Sequence, residues 1–257
     1  MKVTVCQLSD IADELEEQWE GLAAHCRDEG SELVVLPELG FSPWLAATDA
    51  PDQAAWDDSV AVHERWLERL PELGAAVVVG SVPIVDAGRN HNAAFVWTAD
   101  AGVVHAHRKH HLPDEPGFSE ARWYERGPKE FVPVDTPLAK VGFLLCTELW
   151  FTEHARAYAR AGVEVLASPR GVGMTSLSKW IAGGRVGAVM SGAYGVSSNR
   201  GGVDARGFEW AGAGWIIEPE EGEVLGITTV DEPFLTRDVD LTVAHGAKST
   251  YPRYVPE

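Results

Sequence analysis

The hydrophobic pattern alternates between short apolar runs and longer amphipathic stretches. KVTVCQL predicts a first strand over residues 3–7. Ile11, Leu15, Trp19, Leu22 and Cys26 then recur at helical spacing, predicting a helix over residues 10–29 that stops at Gly30. LVVL is a wholly apolar strand over 33–36, followed by a loop to residue 51. A helix over 54–73, interrupted near Pro71, leads to strands over 75–81 and 92–98. The turn ADAG sends the chain back as a hairpin partner over 103–108. Residues 110–130 form a long loop rich in Pro and Gly, a length that is often functional.

Beyond it, strands are expected over 131–134, 140–145, 163–167 and 195–199, with helices over 152–161 and 177–190. Further strands with turns fill 210–240. Strands alternating with helices, with hairpins mixed in, indicate an α/β layered protein with a mixed sheet. The unbroken apolar runs LVVL and AAVVVG imply that helices cover the sheet. Residues 1–241 read as one domain and 242–257, with little periodicity, as a C-terminal arm.

Composition narrows the partners. The 257 residues suit one large domain, and 45% hydrophobic content is enough for a sizeable core. The longest apolar runs are of strand length, so no membrane span is expected. The N-terminus lacks the apolar stretch of a signal peptide, which makes a cytoplasmic protein the default expectation. Cys6, Cys26 and Cys146 are odd in number and far apart, which argues against a disulfide framework; Cys6 and Cys26 read as small core residues. A net charge of −18 argues against nucleic acid or an anionic membrane as partner. Its acids, as in DELEEQWE and PEEGE, suit a solvated surface, adaptation to high salt or attraction of cationic substrates.

Three strand ends deliver reactive groups. Cys146 ends the apolar run VGFLL, Glu38 follows LVVLP, and Lys109 follows VVHAHR. In α/β proteins ligands bind at the carboxyl edge of the sheet. A thiol, a carboxylate and an ammonium meeting there are the parts of nucleophilic amide chemistry. Glu38, partly desolvated, suits a general base. Lysine and a following helix N-terminus should lower the Cys146 pKa toward the thiolate. His105, His107, His110 and His111 could suggest a metal, but nothing at metal-site spacing completes a ligand set, and none is expected.

The stretches LVVLPELGFSP, RKHHLPDEPGFSEARWYERG and VGFLLCTELWFTEHARAYARAGVEVLASP, in this order and spacing, resemble the nitrilase, or carbon–nitrogen hydrolase, superfamily over roughly residues 3–240. The resemblance implies an α-β-β-α sandwich, a homodimer or larger homo-oligomer, no cofactor, and a catalytic triad of Glu38, Lys109 and Cys146. It also places a second glutamate, Glu120, at the site and gives the Thr147 N–H the oxyanion. Two departures are visible: Thr147 stands where an aromatic or Asp is frequent, and Ala188 and Val189 follow Arg185 where Glu and Asn are common.

The implied activity is hydrolysis of a non-peptide C–N bond in a linear amide or N-carbamoyl compound through a thioester, releasing ammonia. A nitrilase, an acyl or amide transferase using the same thioester and, more remotely, a non-enzymatic binding member or a metal sensor are the competing readings. For the substrate, Arg170 could pair with a carboxylate and Glu148 could either favour a cationic amine or brace the helix after Cys146. Trp44, Trp150 and Trp180 are candidates for the pocket wall.

Overall fold

A computed structural model describes residues 1–256. The first half of the chain supplies β1 (Lys2–Leu8), β2 (Leu33–Val35), β3 (Val77–Asp86), β4 (Arg89–Thr98) and β5 (Gly102–Arg108), with helices α1 (Ala12–Glu29) and α2 (Gln53–Leu67). After the short α3 (Glu120–Trp123), the second half supplies β6 (Val134–Asp135), β7 (Lys140–Phe143), β8 (Val165–Ala167), β9 (Tyr194–Ser197), β10 (Asn199–Arg200), β11 (Trp215–Ile217), β12 (Val224–Ile227) and β13 (Phe234–Asp238). Its helices are α4 (Thr152–Arg160), α5 (Leu177–Ser191) and α6 (Leu241–Ala247).

Two mixed sheets result. One runs β10-β1-β2-β3-β4-β5, with β13 also pairing β1, and the other runs β12-β11-β9-β8-β7-β6. The period-2 alternation of the strands explains why the sheets stack. Val3, Val5, Val77 and Val79 of the first sheet point inward and meet Val141, Phe143, Val165 and Val196 of the second, all fully buried. The opposite face of the first sheet, through Cys6, Leu8, Val34 and Leu36, packs on Trp19 and Leu22 of α1. The opposite face of the second, through Leu144, Leu166 and Trp215, packs on Tyr158 of α4 and Ala188 of α5. The layers are therefore α-β-β-α, the architecture the resemblance implies.

Three details differ from the pattern reading. β3 and β4 are one long hairpin that turns at Ala87 and Gly88, both at positive φ, and an Ala-Gly pair is a weak signal for that turn. The strand expected over 131–134 shrinks to Val134–Asp135, because the Phe131 ring leaves the sheet to stack on His154 at 3.5 Å. Residues 241–247 are helical, started by Asp240 accepting the Thr242 N–H at 2.9 Å, and Lys248 then donates to the carbonyls of Ser191 and Gly192 at 2.9 and 2.6 Å. No helix among the described residues is long and apolar enough to cross a membrane.

Helix α5 lies close on the second sheet because Gly184 has no side chain: a Cβ there would sit 2.8 Å from the Trp215 ring. Gly184→Val is expected to destabilise the protein by about 1–3 kcal/mol through overpacking, read as a lower urea midpoint.

Candidate active site

Glu38, Lys109, Glu120 and Cys146 converge between the two sheets, all buried. The Lys109 ammonium lies 2.7 Å from Glu38 Oε1 and 2.6 Å from Glu120 Oε2. Burial opposes its charge, yet the two carboxylates outweigh that and hold the ammonium protonated, well above its ordinary pKa. Two acids share one cation, so Glu120, raised first by burial and further by Glu38, binds a proton more readily than a free carboxylate. Asn92 donates its amide to Glu38 Oε1 at 2.8 Å, and the Lys109 N–H donates to the Asn92 carbonyl at 2.9 Å. The other Glu38 oxygen, Oε2, is buried and has no hydrogen-bond partner among the described residues.

Two of the turns that carry these groups are held in the left-handed region. Cys146 has φ of 46°, and Leu39, next to Glu38, has φ of 45°. Such conformations cost about 1–3 kcal/mol each in a residue with a side chain and persist only where the surroundings fix them. The Cys146 N–H donates to the Pro169 carbonyl at 3.0 Å, and the Leu39 N–H to Ser81 Oγ at 3.2 Å. Beneath the Glu38 turn lies Arg200, fully buried, which donates to the carbonyls of Glu38, Leu39 and Ser42 and pairs with Asp10 at 2.8 Å.

The thiol departs from expectation. Cys146 stands well above the ordinary cysteine value: burial is the largest cause, the Glu38 charge adds to it, and Lys109 offsets only part. Cys146 opens a five-residue 3₁₀ turn, Cys146–Trp150, and not a long helix, so there is little dipole to help the thiolate. Burial thus favours the neutral thiol over the thiolate.

Cys146, Glu120 and Thr147 line one end of a cavity of about 500 Å³, walled by Phe118, Trp150, Val172, Trp180 and Phe208. Thr147 is in the first turn of the 3₁₀ segment, where N–H groups are left without partners inside the helix. Trp150 and Trp180 line the cavity as expected, their rings 5.1 Å apart.

Other candidates fall elsewhere. Trp44 is outside the wall: its indole N–H donates to the Gly117 carbonyl at 3.0 Å, supporting the loop that carries Phe118. Arg170 does not reach the cavity, because its guanidinium lies over Trp215 at 3.6 Å and donates to Ser197 Oγ and the Ala213 carbonyl. Glu148 is also off the wall, fully buried and accepting from His107 Nε2 at 2.8 Å and the Leu145 N–H at 2.9 Å. His107 is thereby occupied, and the described residues contain no group of three or more ligands suited to a metal. Asn92, Tyr124, whose buried hydroxyl faces Glu120, and Arg200 had no local sequence signal as site residues.

The model of the carbon–nitrogen hydrolase family matches residues 2–248. An ω-amidase of mouse is 30% identical over 226 residues, covering 86% of this chain and 80% of its own. A citrullinase of Francisella tularensis is 29% identical over 179 residues, 67% of this chain and 62% of its own. Among solved structures, a carbon–nitrogen hydrolase from Helicobacter pylori G27 superposes with a TM-score of 0.87 at 24% identity, covering 99% of this chain and 94% of its own. An amidase from Nesterenkonia sp. does so at 0.75 and 20%, covering 95% and 92%. With its family model matched over nearly the whole length, the chain belongs to the carbon–nitrogen hydrolases, enzymes that hydrolyse C–N bonds.

Proposed function

We propose that this enzyme hydrolyses the terminal amide of a small linear compound carrying a carboxylate, with Cys146 as nucleophile and Glu38 as base. The observation that carries this reading is that Glu38, whose Oε2 is buried and without a partner among the described residues, lies near enough to Cys146 for its charge to add to the upward push that burial gives the thiol. Glu38 takes the thiol proton as sulfur bonds to the amide carbon. The oxyanion that forms is met by the Lys109 ammonium and the Thr147 N–H. Glu38 returns the proton to nitrogen, the C–N bond breaks and ammonia leaves a thioester on Cys146. Water, deprotonated by Glu38, then attacks the thioester; the C–S bond breaks, the carboxylic acid leaves, and Glu38 returns the proton to the Cys146 sulfur, which restores the thiol. Glu120 holds Lys109 in place throughout.

Substrate size follows from the cavity of about 500 Å³, room for a short chain between aromatic walls. Asp114, Glu115 and Glu120 also line the cavity, of which Asp114 is paired with Arg122 at 2.8 Å and Glu120 with Lys109 at 2.6 Å, whereas Lys179 is the one cation lining it among the described residues. A lysine placed there favours a substrate whose far end is a carboxylate. The ω-amidase and citrullinase relatives act, by their names, on a terminal amide and on citrulline, whose side chain ends in a ureido group. A ureido substrate is therefore the second reading. The enzyme is read as a homo-oligomer too, since Ala182, Val186, Val189 and Met190 of α5 line one open surface hollow, a grouped apolar face rather than a single exposed side chain.

Ammonia release from linear ω-amides should fall by at least about 10³-fold in Cys146→Ala, with the circular-dichroism spectrum unchanged. Turnover near the wild-type rate in that variant would exclude Cys146 as nucleophile. Lys179→Met should raise KM about tenfold for amides bearing a carboxylate and leave neutral aliphatic amides unaffected; equal effects on both would remove the carboxylate from this reading. Glu38→Gln separates the two roles of the carboxylate. Because the Glu38 charge raises the Cys146 pKa, its removal should shift iodoacetamide labelling of Cys146 to lower pH while turnover is lost. A labelling profile shifted to higher pH would contradict that electrostatic account.

A further inference from the structure

The four site residues do not come from one sheet. Glu38 follows β2, Lys109 follows β5 and Glu120 follows the loop from β5, so the base, the cation and the second carboxylate all hang from the first sheet. Cys146 follows β7 and belongs to the second. Apolar packing between sheets is non-directional and fixes their separation more firmly than the lateral register of two loops at their ends. Something polar must set the nucleophile against its partners to within the few tenths of an ångström that catalysis requires.

We propose that Glu148, supported by His107, is the positioning residue that fixes the Cys146 turn against the Lys109 arm. One of its oxygens, Oε2, accepts the Leu145 N–H at 2.9 Å, directly before Cys146. The other, Oε1, accepts the His110 N–H at 2.6 Å and the His111 N–H at 3.4 Å, directly after Lys109. A single carboxylate thus holds the chain neighbour of the nucleophile and the chain neighbours of the ammonium. His107, on β5 and itself buried, donates Nε2–H to Oε2 at 2.8 Å and so ties the carboxylate to the first sheet a third time.

The carboxylate is fully buried, which penalises its charge, yet the His107 contact and the N–H groups of His110 and Leu145 outweigh burial and keep it ionised. An anion held by donors converging from both sheets resists sliding in a way a hydrophobic contact does not. Glu148 touches neither the cavity nor the reacting atoms, so its effect reaches the chemistry only through Cys146 and Lys109.

The inference rests on Cys146 being the nucleophile, and its test includes a readout that needs no substrate. In the full-length protein, Glu148→Ala should slow iodoacetamide labelling of Cys146 and lower kcat about 10²-fold while KM stays within about threefold. Should that variant not fold, His107→Ala carries the test. It removes one donor of the four and should lower kcat about tenfold, with His107→Gln, which keeps an N–H within reach, recovering most of the loss. A kcat and labelling rate within twofold of wild type in the variant that folds would overturn the proposal, and so would a loss confined to KM, or a Gln variant no better than Ala. Those results leave the hydrolase reading standing. Absence of Cys146 labelling in the wild-type protein would instead overturn both.

Discussion

The stacking of two sheets through their alternate apolar faces is the constraint on which everything else depends. Val3, Val5, Val77 and Val79 and, from the other sheet, Val141, Phe143, Val165 and Val196 belong to one buried apolar cluster. That dry layer sets the two rows of strand ends side by side, and at their shared edge the backbone is free to leave the sheets and turn. Glu38, Lys109 and Cys146 sit just past strand ends, where a buried strand hands the chain to a loop, and Glu120 comes from the loop that follows β5. The fold supplies positions; the loops supply charge.

Charge in such a place is costly, and the site shows how it is accommodated. Lys109 is fully buried but has two carboxylates, and the negative excess that remains settles as a proton held readily by Glu120. Arg200 meets the carbonyls of the Glu38 turn and satisfies Asp10, so a second buried cation holds in place the strained turn beside the base. Strain at Leu39 and Cys146 and orphaned polarity at Glu38 Oε2 occur together, in the one region where a substrate can relieve them.

Much of this could be read from residue order. Strand ends followed by Glu38, Lys109 and Cys146 announce themselves because an apolar run breaks abruptly at a reactive side chain, and the alternation of Val3 and Val5 with Thr4 marks a buried face. The features that escaped depend on contacts distant in the chain. Arg170 looks like a pocket residue because it follows a strand, but Trp215, Ser197 and Ala213 capture its guanidinium from elements far downstream. Asn92 and Arg200 serve the site through residues 54 and 162 positions away, which no local pattern encodes. The direction of the Cys146 shift also could not be read locally, since it is set by how completely the thiol is buried and how near Glu38 lies. The positive φ of Cys146 and Leu39 has no sequence signature, because glycine is absent from both positions.

The pairing of β1 with both β10 and β13 has a consequence for biosynthesis. Glu38, Lys109, Glu120 and Cys146 are all made before residue 234, and the first sheet is completed only when the strand Phe234–Asp238 returns to lie beside β1. Domains form as units during synthesis. The growing chain therefore carries all four of these side chains before the sheet that positions three of them is complete. A chain that stopped before residue 234 would leave the edge of β1 from Lys2 to Cys6 without the strand that pairs it, and the first sheet unfinished.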